Sequence, residues 1–151
     1  MAGTDEGQRS EMVASDNLLV IEAFLKEFGA GSLDAAFSMV TADAQWSIVQ
    51  VVRGTTMTVP ELRSRLVPMR SAMQDNRLEL NIIDVVDGGD KLAIELESHA
   101  VTRLGPVYAN RYCLVFQMKD GKIANVREYN DSLHVTQVLL PAVTHVMSQE
   151  S

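Results

Sequence analysis

Val107-Tyr-Ala-Asn-Arg-Tyr-Cys-Leu-Val-Phe-Gln-Met-Lys-Asp-Gly-Lys-Ile-Ala-Asn-Val-Arg-Glu-Tyr-Asn-Asp131 reads as a β-hairpin with an unusual ending. Tyr112, Leu114 and Phe116 alternate with Arg111, Cys113 and Gln117, the period of two that a strand with two different faces requires. Asp120-Gly121 supplies the turn, because glycine takes the positive φ that other residues resist. The return strand from Ile123 ends in Arg127, Glu128, Tyr129, Asn130 and Asp131. A polar run at the end of a strong strand adds little to packing. It marks either a sheet edge frayed into solvent or a site.

Outward from the hairpin, the remaining elements follow from caps and periodicity. Asp16 can cap a first helix with Leu18, Ile21, Phe24, Leu25 and Phe28 on one face, ended by Gly29 and Gly31. Ser32 caps a short second helix. A strand from about Ala44 to Val52 puts Trp46, Ile48, Gln50 and Val52 on one face. Thr58-Val59-Pro60-Glu61 is a capping box with an early proline, so a third helix starts there, with Leu62, Leu66, Met69 and Met73 as its apolar stripe. Arg63, Arg65 and Arg70 then read as its solvated face. Strands from about Arg77 to Asp87 and Lys91 to Arg103 are linked by Gly88-Gly89, and Gly105-Pro106 turns into the hairpin. Asp131 or Ser132 caps a last short helix through Leu140, which Pro141 stops. The domain is expected to span 15–140, between a disordered tail over 1–14 and a C-terminal tail over 141–151. These elements give an α+β fold, with helices on one face of an antiparallel sheet.

At 151 residues the chain is one domain, large enough to bury a core without disulfide or metal. The net charge of −7 argues against nucleic acid, whose phosphates need a basic footprint. No apolar run approaches a membrane span, and no secretory signal opens the chain, so a cytoplasmic protein that does not bind membranes is expected. The single cysteine, Cys113, has no partner for a disulfide and reads as a small buried hydrophobe rather than a nucleophile. His99, His134 and His145 are not spaced as metal ligands, and no phosphate loop or dinucleotide fingerprint is present, so neither metal nor cofactor is expected.

The hairpin also carries a resemblance. Its aromatic strand, its Asp120-Gly-Lys-Ile123 turn and its Arg127-Glu-Tyr-Asn-Asp131 ending resemble the closing hairpin of the SnoaL-like branch of the nuclear-transport-factor-like superfamily. That resemblance implies three N-terminal helices packed across a strongly curved mixed sheet, closing into a cone around a pocket. Polyketide cyclases, ketosteroid isomerases, limonene-epoxide hydrolases and plain binding proteins share this architecture, so it implies a fold more sharply than a reaction.

On the strand from Lys91, Leu92, Leu96 and Ala100 face one way, while Glu95, Glu97, His99 and Val101 face the other. The titratable face is either solvated or the lining of a polar site, and the implied cone favours the lining. Aligned through Gly105, Tyr108 and the hairpin, Glu97 and Glu128 fall where limonene-epoxide hydrolases carry their two catalytic aspartates. Their intervening arginine corresponds here to Glu95, and their water-holding tyrosine and asparagine to Trp46 and Ile48. The hydrolase set is therefore incomplete. The ketosteroid isomerase set is absent altogether, since its positions correspond to Phe24, Ile48 and Cys113.

The expected function is cofactor-independent acid–base catalysis, of cyclase, isomerase or hydrolase type, on a small and mostly apolar molecule. Glu97 and Glu128 would share the proton transfer, helped by His99 and Tyr129, with Trp46, Ile48, Cys113, Val126 and Phe24 as pocket wall. Burial and the neighbouring Glu97 should raise the Glu128 pKa. The rival is a non-catalytic binding or dimerisation module, with the carboxylates paired to Arg127 or Arg103. A homodimer through the outer sheet face is expected, on the apolar row Tyr112, Leu114 and Phe116.

Overall fold

The computed structural model describes residues 15–50 and 54–150, so the expected tail over 1–14 and Val52 lie outside the described residues. Helix α1 (Asp16–Ala30) is capped by Ser15, one residue earlier than expected, whose Oγ accepts the Leu18 N–H at 3.1 Å. Asp16 instead sits in the first turn, where the helix dipole favours a negative charge. Helix α2 (Leu33–Ser38) is capped by Ser32. Strand β1 (Val40–Ile48) starts four residues earlier than the sequence suggests and is followed by β2 (Thr55–Thr58), which the sequence reading missed. Thr58 and Glu61 form the expected capping box of α3 (Val59–Ser71).

A single 3₁₀ turn (Gln74–Asn76) leads into the long strands β3 (Glu79–Asp87) and β4 (Lys91–Val101), the short β5 (Val107–Tyr108), and the hairpin β6 (Arg111–Lys119) and β7 (Lys122–Asn130). Asp120 and Gly121 both have positive φ, 51° and 76°, the two-residue turn whose twist matches a hairpin.

The sheet order is β2-β1-β7-β6-β4-β3, with β5 paired to β4. Only β1 and β7 run parallel, so the sheet is mixed. It curls strongly into a half-barrel, and with the helices across its concave side it makes a cone-like α+β fold. The apolar faces of both layers meet there. Ile21, Phe24, Leu25 and Phe28 of α1 pack on Trp46, Leu92, Ile94, Leu96, Leu114 and Phe116. Phe28 stacks on the Trp46 indole at 5.3 Å, and Phe24 meets Phe116 edge-on at 6.3 Å. Gly29 lets α1 approach β3: its carbonyl accepts the Leu78 N–H at 2.8 Å, and a Cβ there would run into the Leu78 carbonyl.

Two expectations are corrected. Tyr112, Leu114 and Phe116 point into the concave side, with Leu114 and Phe116 buried against α1. The helices cover that row, so it offers no outer apolar patch for a dimer. The chain also does not end its helices at Pro141. Helix α4 (Ser132–His134) runs through a π-helical turn (Val135–Leu139) into α5 (Leu140–Gln149), and Ala142 is buried. A proline ring clashes with the carbonyl four residues back in a regular α-helix. The π turn relieves this, with Leu140 N–H reaching Val135 O across five residues. No helix among the described residues is long and apolar enough to cross a membrane.

Candidate active site

Parity along β7 sets the site. Val126, Glu128 and Asn130 point to the concave face, so Arg127 and Tyr129 point away. The register places Ile48 and Leu114 on either side of Glu128, and Tyr112 beside Asn130. Above this floor, Leu25 and Phe28 of α1, Leu62, Leu66 and Met69 of α3, and Val135 and Leu139 of the π turn enclose a cavity of about 150 Å³. Its walls are aliphatic and aromatic. The exceptions are Glu128, Asn130, Arg65, the phenols of Tyr108 and Tyr112, and the edge of Trp46.

The Glu128 carboxylate is held by neutral donors. Trp46 Nε1–H donates to Oε1 at 2.9 Å and Asn130 Nδ2–H donates to Oε2 at 2.6 Å. Burial penalises the ionised form and raises the pKa above the ordinary carboxylate range, while the bonds from Asn130 and Trp46 pull the other way. Burial wins because neither donor carries a charge.

Beside Glu128 lies a chain of hydrogen bonds. Asn110 Oδ1 accepts the backbone N–H groups of Arg111 (2.7 Å) and Asp131 (3.2 Å), which fixes the amide orientation. Asn110 Nδ2 must then donate, and it meets the Tyr108 hydroxyl oxygen at 3.0 Å. The Tyr108 and Tyr112 hydroxyls share a hydrogen bond of 2.7 Å in which either can donate, and Tyr112 also bonds the Ser98 side chain. Burial raises the pKa of both phenols, that of Tyr112 well above its ordinary value, so both remain protonated donors. The His134 ring stacks on Tyr108 at 5.3 Å and its Nε2 accepts the Ala109 N–H at 3.0 Å, fixing the tyrosine from behind.

The SnoaL-like domain profile matches residues 21–126, more than half of the chain. The chain belongs to the SnoaL-like domain family. No curated protein matches the sequence. Among solved structures, PrhC from Penicillium brasilianum NBRC 6234 is similar with a TM-score of 0.74 at 17% identity, over 86% of this chain and 89% of that one. TerC, co-crystallised with polyporic acid, is similar with a TM-score of 0.70 at 15% identity, over 83% and 99%. A protein from Jannaschia sp. CCS1 described as a SnoaL-like polyketide cyclase gives 0.67 at 16% identity, over 82% and 91%. At these identities the likeness is one of fold.

This SnoaL-like cavity gathers some of the residues singled out from sequence and leaves out others. Glu128, Trp46 and Ile48 line it. Val126 and the fully buried Phe24 lie beneath Trp46, against a separate and much smaller void. Glu97 and His99 stand on the outer face of β4, because Leu92, Ile94, Leu96, Ser98 and Ala100 take the concave one. The register sets Glu97 opposite Arg111, and their side chains pair at 3.2 Å rather than with Arg127 or Arg103. Cys113 faces outward beside Glu95, and Tyr129, 42% exposed, follows Arg127 to the outer face.

The sequence reading missed Tyr108, Asn110, Tyr112, Asn130 and His134. Asn130 and Tyr112 had a signal: Asn130 shares the parity of Glu128, and Tyr112 that of Leu114. Among the described residues no three His, Cys, Asp or Glu side chains come together as a metal site. Because the Glu97–Arg111 pair is solvent-exposed, Glu97→Gln should change stability by less than about 1 kcal/mol. Thermal melting and any proton-transfer rate measured on the variant check this, and neither should move appreciably.

Proposed function

We propose that this chain is an acid–base enzyme that moves a proton on a small, mostly apolar molecule, using side chains alone. Glu128 removes the proton, and Tyr112 donates a hydrogen bond to the substrate oxygen on which charge develops. One observation carries the reading: a carboxylate faces an apolar cavity, held by two neutral N–H donors and in contact with no cation among the described residues. Desolvation makes such a group a stronger base, and the raised pKa brings it nearer to physiological pH. The phenol chain ending at Tyr112 supplies a neutral donor a short way along the same wall.

With Glu97 on the outer face, no second carboxylate among the described residues lines the cavity, so hydrolysis by a carboxylate pair is not the chemistry supported. Removal of a proton from carbon, followed by isomerisation or ring closure, is. The co-crystallisation of TerC with polyporic acid supports a small organic molecule as the occupant of this cavity.

The test needs no knowledge of the natural substrate. In 5-nitrobenzisoxazole a base takes the proton on C3 as the ring N–O bond breaks, leaving a coloured cyano-nitrophenolate. A desolvated carboxylate is an efficient base for this step. The protein should accelerate the reaction beyond an equal concentration of acetate, with a rate that rises with pH as Glu128 ionises. The midpoint should lie above about 4.3, the ordinary glutamate value. A rate no faster than acetate would count against catalysis and leave a binding module.

A further inference from the structure

Three arginines on α3 have three different surroundings. Arg63 pairs with Asp34 and lies over the Phe37 ring at 5.7 Å. Arg70 is buried, with its guanidinium donating to the Gly31 and Asn76 carbonyls. Arg65 makes no hydrogen bond or ion pair among the described residues, yet it lines the cavity that holds Glu128. The helix repeat explains its place. Leu62, Leu66 and Met69 form the stripe that faces the cavity, and residue 65 falls at its edge. Arg65 itself is exposed, so its charge stands at the opening and not in the apolar interior.

Among the described residues it is also the only cation that lines that cavity. The chain as a whole carries a net charge of −7, so its general field repels anions. A small anion would bind here only if its apolar part entered the cavity and its charge met this one guanidinium. A planar guanidinium matches a carboxylate through two parallel N–H···O bonds. A cavity of about 150 Å³ holds a body of roughly benzene size. Phe28 and Trp46 give it flat aromatic surface.

We infer that the substrate of this cavity is a ring-bearing carboxylic acid, whose ring packs within the apolar walls and whose carboxylate is held by Arg65 at the mouth. This rests on the proposed reading of the cavity as a substrate site. It adds that the substrate is anionic and fixes which end stays outside.

Trp46 is the only tryptophan in the chain and lines the cavity, so its fluorescence reports occupancy. The experiment titrates wild type and Arg65→Gln with phenylacetate and with its neutral methyl ester, at pH 7.5 and low salt. The wild type should bind phenylacetate about tenfold more tightly than the ester. Arg65→Gln should lose that preference and bind the ester as before, and the exposed helical position makes misfolding of the variant no concern. Equal affinity of the wild type for acid and ester would overturn the assignment of Arg65 while leaving the cavity a binding site. So would a preference that survives in Arg65→Gln. If neither compound changes the Trp46 signal, the cavity reading and the inference fall together.

Discussion

Glu128→Gln is expected to reduce proton abstraction from 5-nitrobenzisoxazole by about 10²-fold or more, and to do so while making the protein more stable at neutral pH. Loss of the base accounts for the first effect. The second follows from the surroundings of the carboxylate. Glutamine has the same shape, and its Oε1 can still accept the Trp46 N–H. Its amide nitrogen would face the Asn130 Nδ2, a donor against a donor. But Asn130 Oδ1 is buried without a partner, and a half-turn of that amide presents it as the missing acceptor. The variant therefore keeps both hydrogen bonds and loses a charge that burial opposes.

The pH dependence has a definite sign. Because the folded-state pKa of Glu128 is raised, its protonated form contributes stability in full below the unfolded value of about 4.3, and that contribution is lost as pH rises through the folded pKa. The wild type carries this cost at pH 7.5 and the glutamine variant does not. A rise in Tm of roughly 2–4 °C is expected, the shift that about 1 kcal/mol gives in a domain of this size. A variant that melts several degrees lower, or one with an unchanged rate, would show that Glu128 is bonded into the fold rather than held ready for chemistry.

The parts of this fold legible in sequence are those where one local rule decides. Asp120-Gly121 fixed the hairpin, because two successive positive φ values suit few other residue pairs. Thr58 and Glu61 fixed the start of α3 through reciprocal bonds to each other's backbone. Strand β2 was missed because its four residues, Thr55 to Thr58, show no useful alternation and end in a helix cap. The run past Pro141 was missed because a π turn depends on how Val138 and Leu139 pack against the rest of the fold, which no local pattern records.

At the site, the alternation in β4 was read correctly, but the wrong face was assigned to the cavity. Leu92, Ile94 and Leu96 gain far more from burial under the helices than Glu95, Glu97 and His99 could gain from a partly dry pocket. Consistent use of parity would also have separated Tyr129 from Glu128, just as it separated Arg127. The Asn110–Tyr108–Tyr112 chain was beyond reach. It joins β5, β6 and the residue that caps α4 through contacts that only the closed sheet creates.

The largest expected change in stability comes from Arg70, which the sequence placed on a solvated face. It is 7% exposed. From the last turn of α3 its Nη1 donates to the Gly31 carbonyl at 2.8 Å, while Nε and Nη2 both donate to the Asn76 carbonyl at 3.1 Å. These bonds join the α1–α2 junction to the turn before β3. That turn is strained, since Asp75 and Asn76 both have positive φ, 61° and 55°, without being glycine. Burial lowers the arginine pKa and the nearby Glu27 opposes this, but a guanidinium stays charged in either case. In Arg70→Met the apolar stem is preserved and two carbonyls lose their donors, at about 1–3 kcal/mol each. A loss of roughly 3 kcal/mol should lower Tm by about 6–12 °C. Arg70→Lys should recover only part of it, because one ammonium cannot bridge two carbonyls as a planar fork does. Hydrogen exchange should quicken first at Leu78, whose N–H bonds to Gly29 O just beyond the strained turn. A fall in Tm of under 2 °C in Arg70→Met would mean that water replaces the guanidinium at both carbonyls, and that the turn holds its shape without it.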